Sequence, residues 1–405
     1  MINLHELSKV GIGAYRMTID NAEHITTLKY ALEKGINLID TASNYQFGNS
    51  EKLIGNTIKS VRENVFLISK AGYIQGSDID TYSSSLNNSK ITKINDKFYY
   101  SIDTSFLRKQ IEVSLNRLNT DYLDGFLIHN PEHYFDIKKE NKEYIYSYIQ
   151  EACVFLEDLV DEGLIRYYGI SSNVLPQGEI NLKKIVENNC FQNFRLAQFP
   201  YNLVENQATN KKDNESLVDF CKTRDIKTFG NRPLNTKYDS KVLRLADYSD
   251  EYSNINLKKE EALFEDFLSK IKNQLEKYGE TSPLESFTPI QFFIQNRKKI
   301  ANPEAVNRAV KSHLLPFVKM LKFSDSSAEK TIIKLLEYWV LYSKKHITER
   351  SKELKEKLKL DGVIKNNDSR KISVIACENY LSDGIDHVLV GMRKKKYVDD
   401  LLSLV

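Results

Sequence analysis

At 405 residues the chain is longer than one ordinary domain but fits a large barrel that carries an insertion. Hydrophobic residues make up 41% and charged residues 28%, which argues for a substantial core and against disorder. The 58 basic and 55 acidic side chains leave a net charge of +3, too small to set up the field that draws nucleic acid. No apolar run reaches membrane-spanning length, and Met1–Glu6 has neither the basic start nor the apolar stretch of a secretory leader. Cys153, Cys190, Cys221 and Cys377 are scattered and form no C-x-x-C pair, which suits a reducing compartment and a cytoplasmic protein.

From the N-terminus to Pro233 the sequence alternates strand and helix. Val10–Gly13 reads as a first strand, and its Gly11-x-Gly13 lacks the third glycine of a dinucleotide fingerprint. Asp20-x-x-Glu23 predicts a capping box, followed by helical spacing through Ile25, Leu28, Ala31 and Leu32 and a stop at Gly35. Leu38–Asp40 reads as a strand, Ser50–Ile58 as a helix and Val65–Lys70 as a strand. Gly72–Ser101 is a long loop rich in Ser, Asn and Tyr. Thr104–Leu118 is an amphipathic helix with Phe106, Leu107, Ile111, Leu115 and Leu118 on one face. Leu123–His129 is a strand, and a helix runs from about Ile145 to Gly163. Tyr167–Ser171, Leu196–Phe199 and Ile226–Phe229 are further strands, with helices near Leu182 and Ser216 between them.

The rhythm then breaks from Thr236 to Arg370. Leu257–Tyr278, Glu304–Leu321 and Ser327–Leu358 have helical periodicity, and the segment shows no clear strand. The single tryptophan, Trp339, falls in an apolar face with Ile333, Leu336 and Val340. His387–Val390 supplies an eighth strand. Eight β/α units predict an α/β fold, a (β/α)8 TIM barrel formed by residues 1–235 and 371–405 with an inserted α-helical subdomain at 236–370. The insertion leaves the barrel after the seventh strand, at its carboxyl end, which is the catalytic side of such barrels. That position predicts a role in shaping the pocket or in binding a protein partner.

Asp40, Lys70, His129, Ser171 and Gln198 all end predicted strands, and Tyr45 follows the first of these by a short loop. Gly35-Ile36-Asn37-Leu38-Ile39-Asp40-Thr41-Ala42, then Tyr45, then Gly48-Asn49-Ser50-Glu51-Lys52-Leu53-Ile54-Gly55 make a long and specific pattern. With Lys70 and His129 it resembles the catalytic tetrad region of the aldo-keto reductase superfamily, from about Leu7 to Pro233 and again from near Ile375. The resemblance implies reduction of an aldehyde, ketone or sugar-like carbonyl. A nicotinamide cofactor, NADP(H) with NAD(H) as the alternative, would supply hydride. Tyr45 would supply the proton, Lys70 would lower the phenol pKa, Asp40 would hold Lys70 and His129 would orient the carbonyl.

The resemblance extends to cofactor contacts. Gly169-Ile170-Ser171-Ser172-Asn173 is similar to the family's G-(V/I)-S-N run, with Ser172 and Asn173 both open for the asparagine's role, and Gln198 is similar to the glutamine beside it. Asn231 stands where many members place an aromatic against the nicotinamide. Val390-Gly391-Met392-Arg393 resembles the phosphate-binding end of the last unit, where Arg393 would grip the 2′-phosphate of NADP. Asp400 and Leu401 replace the usual Glu-Asn pair near the adenine. His129 and His133 have i,i+4 spacing, but Pro131 between them argues against a helical zinc pair, so no metal is expected. The competing reading is a nucleotide-binding regulatory or scaffold protein that binds a partner through the barrel and the insert.

Overall fold

The computed structural model describes all residues except 83–89, 135–141, 187–190, 213, 239–240 and 254. Strands β1 (Val10–Gly13), β2 (Leu38–Asp40) and β3 (Phe66–Ala71) begin the sheet. A separate antiparallel sheet follows, built from β4 (Tyr73–Gln75), β5 (Thr92–Asn95) and β6 (Phe98–Tyr100) in the order β4-β6-β5. The main sheet resumes with β7 (Leu123–His129), β8 (Ile165–Ser171), β9 (Phe194–Pro200) and β10 (Lys227–Asn231). A two-stranded sheet of β11 (Asn235–Tyr238) and β12 (Lys241–Arg244) comes next, and β13 (His387–Val390) is the last strand. Strands β1, β2, β3, β7, β8, β9, β10 and β13 pair in parallel and close on themselves, so the eight-stranded barrel is present.

The barrel strands alternate their side chains between an inner and an outer face. Leu38, Ile68, Leu127, Leu196 and Phe229 point inward and, with Leu4, Leu7, Phe66 and Leu389, make one buried cluster. Two residues further along the same strands, and therefore on the same face, stand Asp40, Lys70, His129, Gln198 and Asn231. The chemistry thus occupies the next inward layer above the core. Gly169 has the same relation to Ser171, and it must be glycine because a Cβ there would lie 1.7 Å from the Leu196 carbonyl oxygen.

Predicted boundaries hold to within one or two residues for most barrel elements, and Thr104–Leu118 and Leu123–His129 match end for end. The first helix differs at its cap. Its N-cap is Asn21, whose side chain accepts from the Glu23 N–H, while Asp20 instead accepts from the Thr18 hydroxyl. The Gly72–Ser101 segment is not a plain loop, since strand pairing absorbs much of it into the small β4-β6-β5 sheet. Cys153, Cys221 and Cys377 are free and buried; Cys190 lies outside the described residues. Among the described residues no helix is long and apolar enough to cross a membrane.

His387 links the barrel to pH. Its ring stacks on Phe229 at 5.1 Å, and its Nδ1–H donates to the Ser8 carbonyl at 3.0 Å. Burial pushes the imidazole down to about 4. Because the folded value is depressed, the unfolded chain binds the extra proton between about pH 6.5 and 4. Stability from this group is therefore complete above that window and lost as pH falls through it, by about 3–4 kcal/mol at roughly 1.4 kcal/mol per unit. His387→Gln should flatten this part of the stability-versus-pH curve in urea unfolding. An unchanged slope in the variant would refute the assignment.

Contacts divide the chain into Met1–Asn235 with Val374–Val405, and Thr236–Ser373. The second unit opens with the β11-β12 sheet, where the sequence showed no clear strand, and continues through helices Leu257–Lys277, Thr288–Asn296, Pro303–Ala309, Leu315–Met320 and Ser327–Leu360. The predicted Glu304–Leu321 helix is present and widens into one π turn at Val310–Leu314, just ahead of Pro316, which cannot donate an intrahelical bond. The apolar face around Trp339 also shifts by one position. Ile332, Leu335, Trp339 and Tyr342 are buried, whereas Ile333 is 56% exposed. Trp339 stacks on Phe293 at 4.6 Å, and its Nε1–H donates to buried Glu260 at 2.9 Å, which also accepts from Arg297 at 3.0 Å.

Candidate active site

Lys70 is fully buried near the end of β3 and makes three contacts with its ammonium. It lies 2.7 Å from Asp40 Oδ1, donates to the Thr41 carbonyl at 2.7 Å, and donates to the Tyr45 hydroxyl at 3.3 Å. Asp40, at the end of β2, also accepts from Gln198 Nε2 at 2.7 Å. A buried ion pair offsets its desolvation only when the remaining lone pairs are filled, and Gln198 and Thr41 do this here. The His129 ring, at the end of β7, stands edge-on to Tyr45 with centroids 6.0 Å apart. All four members of the predicted tetrad therefore meet at one place.

The charge states differ in one respect from the sequence expectation. A lysine cation beside a phenol lowers the phenol pKa, but here the close surroundings of the Tyr45 hydroxyl raise it well above the ordinary value. Burial is the largest cause, and the Asp40 carboxylate, Tyr15 and Tyr73 add to it while Arg232 opposes it. Burial also lowers the Lys70 ammonium, with Asp40 pulling the other way. Burial, Lys70 and His133 drive the His129 imidazole well below its usual value, so it is neutral. Its Nδ1 is buried and has no hydrogen-bond partner among the described residues.

Beside the tetrad, Ser171 donates to Gln198 Oε1 at 3.1 Å and Asn231 Nδ2 donates to the same oxygen at 3.3 Å. Asn231 Oδ1 is buried and has no hydrogen-bond partner among the described residues. A primary carboxamide, with two N–H donors and one carbonyl acceptor, fits such a group of hydroxyl, amides and an orphan acceptor. Of the two residues open for the next contact, Asn173 is already engaged. Its backbone and side-chain N–H groups donate to Glu132 Oε1 at 3.0 Å each, and its Oδ1 accepts from Arg232 at 2.7 Å. Ser172 is buried at the end of β8, where its Oγ accepts from the Val174 N–H at 3.2 Å. Gly391 and Arg393 follow β13, and the Arg393 carbonyl accepts from Thr27 at 3.4 Å.

Four further residues belong to the site. Glu51 is fully buried, accepts from Ser69 at 2.7 Å and from Arg117 at 3.3 Å, and has its carboxyl raised by burial. It ties the Asn49–Ile58 helix to β3 beside Lys70, and it lies within the motif quoted above. Tyr73, Glu132 and Arg232 had no such signal. Arg232 merely adjoins Asn231, and the other two are brought in by contacts between distant segments. The turn after Tyr45 places Gln46 and Phe47 in the left-handed region at φ 50° and 54°, which for side-chain-bearing residues costs about 1–2 kcal/mol each. Such strain commonly marks functional turns.

The family model described as Aldo/keto reductase family matches residues 9–404. The chain is 30% identical to the uncharacterized oxidoreductase YqkF of Bacillus subtilis over 169 residues, 41% of this chain and 45% of that protein. It is 26% identical to the aldo-keto reductase YhdN of the same organism over 286 residues, 68% of this chain and 73% of that one. The match to the first of these relatives thus spans under half of its length. A solved aldo-keto reductase from Bacillus halodurans (AKR11C1, holo form) superposes with a TM-score of 0.52 at 16% identity, covering 98% of this chain and 86% of that one, which is a likeness of fold.

Proposed function

The chain belongs to the aldo/keto reductase family, and from that premise we propose that it reduces an aldehyde, ketone or sugar-like carbonyl to an alcohol with NADP(H) as cofactor. The observation that carries the reading is the Tyr45 hydroxyl held by Lys70, itself paired to Asp40, with a neutral imidazole at its side. A bound nicotinamide supplies the hydride. Tyr45, kept protonated by its surroundings, delivers a proton to the carbonyl oxygen. Lys70 donates to the phenol oxygen and so stabilises the phenolate left behind. His129, neutral and with an unpartnered ring nitrogen, orients the carbonyl. Ser171, Ser172, Gln198 and Asn231 hold the carboxamide, and the engagement of Asn173 by Glu132 and Arg232 favours Ser172 over it.

Consumption of NADPH with a panel of aldehydes, ketones and sugars tests the proposal. Tight NADPH binding with no turnover on any of them would favour a nucleotide-binding regulator instead. Cofactor choice has its own test. If Arg393 grips the 2′-phosphate, Arg393→Ala weakens NADPH roughly ten-fold or more and NADH little, because a charge-assisted bond is worth about 1.5–3 kcal/mol. Equal weakening of both would place Arg393 at the shared pyrophosphate or in the fold.

A further inference from the structure

The barrel ladder fixes His129 directly, whereas it reaches Tyr45 through β3, by the Lys70 ammonium on the hydroxyl and the Ser43 N–H on the Lys70 carbonyl at 3.0 Å. His129 is locked in register against Ser171 at the end of β7, whereas Tyr45 sits off the strands in the turn after β2. A proton donor and a carbonyl-orienting imidazole must agree to within about 0.5 Å, so something has to tie that turn to β7.

Strand β4 reaches both. Tyr73 and Gln75 are two residues apart on it and so share a face. The Tyr73 hydroxyl accepts from Asn130 Nδ2 at 2.6 Å and shares a hydrogen bond with His133 Nε2 at 2.8 Å. Asn130 directly follows His129 and takes the left-handed conformation at φ 55°. The Tyr73 ring also meets the His129 ring edge-on, with centroids 5.1 Å apart. At the other end, Gln75 Nε2 donates to the carbonyl of Asn44, the residue before Tyr45, at 2.8 Å. The approach is close throughout, since a Cβ on Gly72 would lie 2.6 Å from both the His129 carbonyl oxygen and the Tyr100 ring. Pairing with β6 through Tyr73–Tyr100 and Gln75–Phe98 braces β4 from behind.

We propose that β4 is a bracket that sets Tyr45 and His129 at working distance from each other, with Tyr73 and Gln75 as positioning residues. This rests on the reductase reading above, and it gives the segment between β3 and β7 a task in the site. Tyr73 acts on His129, by its ring and by its bond to the adjoining Asn130, and Gln75 acts on Tyr45 through Asn44. None of these three hydrogen bonds is part of the barrel ladder, so each can be removed while the eight strands stay paired.

Tyr73→Phe keeps the ring and removes the hydroxyl; Gln75→Ala removes the amide. Each should lower kcat for carbonyl reduction about ten-fold, since a misplacement of about 1 Å can cost up to a hundred-fold. The Kd for NADPH and the melting temperature should stay near wild-type values. In a His129→Gln background Tyr73→Phe should cost nothing more, because the residue it acts through is gone. Wild-type kcat in both single variants, or a Tyr73→Phe loss that multiplies the His129→Gln loss, would overturn the bracket. If Tyr73→Phe fails to fold, Gln75→Ala decides alone. A wild type that turns over no carbonyl counts against the reductase reading and not the bracket, which then stands or falls on ¹⁵N-histidine spectra without substrate. There a shifted or broadened His129 resonance in Tyr73→Phe supports it, and an unmoved one overturns it.

Discussion

Tyr45→Phe should leave a folded protein that binds NADPH as before and reduces carbonyls about a thousand-fold more slowly. The phenylalanine ring fills the same space, so the edge-on contacts with Tyr15 and His129 survive, at 5.0 and 6.0 Å in the wild type. What disappears is the only atom that can pass a proton while Lys70 donates to it. General acid catalysis by a placed side chain is worth roughly 10²–10⁴-fold, which sets the size of the loss. The raised phenol pKa also predicts the pH dependence. An acid must be protonated to act, so the wild-type rate of reduction should hold through neutral pH and fall only well into the alkaline range. Alcohol oxidation, which needs the phenolate, should rise with pH instead. Reduction by Tyr45→Phe at an undiminished rate would remove Tyr45 from the mechanism. A rate of reduction that already falls below neutral pH would contradict the protonation state.

Much of this site could be read from the chain because the relevant information is local. Leu38-Ile39-Asp40, Ile68-Ser69-Lys70 and Leu127-Ile128-His129 each carry an inward apolar residue two places before an inward polar one. A strand's period of two turns that spacing into stacked layers, core below and chemistry above. Helix Thr104–Leu118 was legible for a similar reason, since its apolar residues repeat at helical spacing; the structure adds Asp103 as its cap. The features that escaped depend on distant partners or on choices between near-equal neighbours. The β4-β6-β5 sheet pairs Tyr73 with Tyr100, and nothing within three to five residues of either announces that pairing. The β11-β12 sheet is made of four-residue strands, Asn-Thr-Lys-Tyr and Lys-Val-Leu-Arg, without an apolar alternation. Asp20 and Asn21 are both good caps, and only the path of the chain decides which one turns toward the Glu23 N–H. Around Trp339 two adjacent helical faces are both apolar, so the phase was set by the neighbours Phe264 and Phe293 rather than by the helix itself. The direction of the Tyr45 shift was missed because it depends first on burial and then on the closeness of the Asp40 charge, and neither is visible in residue types.

Lys70→Met should damage the protein twice, and the two effects can be separated. Methionine matches the length of the lysine stem, so the packing beneath it, with Ile68 and Leu127, is largely kept. The ammonium is lost, however, and with it the partner 2.7 Å from Asp40 Oδ1. Asp40 is 4% exposed and keeps only the Gln198 amide at 2.7 Å, so a carboxylate remains buried without its cation. Breaking a buried pair from one side typically costs about 3–5 kcal/mol, and the melting temperature should fall accordingly. Asp40→Asn added to Lys70→Met removes the stranded charge and should recover most of that stability. It should not recover the rate. The phenol oxygen of Tyr45 has then lost the donor 3.3 Å away that steadies it as the proton leaves, and reduction should stay at least a hundred-fold below wild type. Stability restored without activity would therefore assign Lys70 a chemical role as well as a structural one. Activity returning together with the melting temperature would mean that the lysine serves only to neutralise Asp40, and the proton-transfer role given to the pair would have to be abandoned.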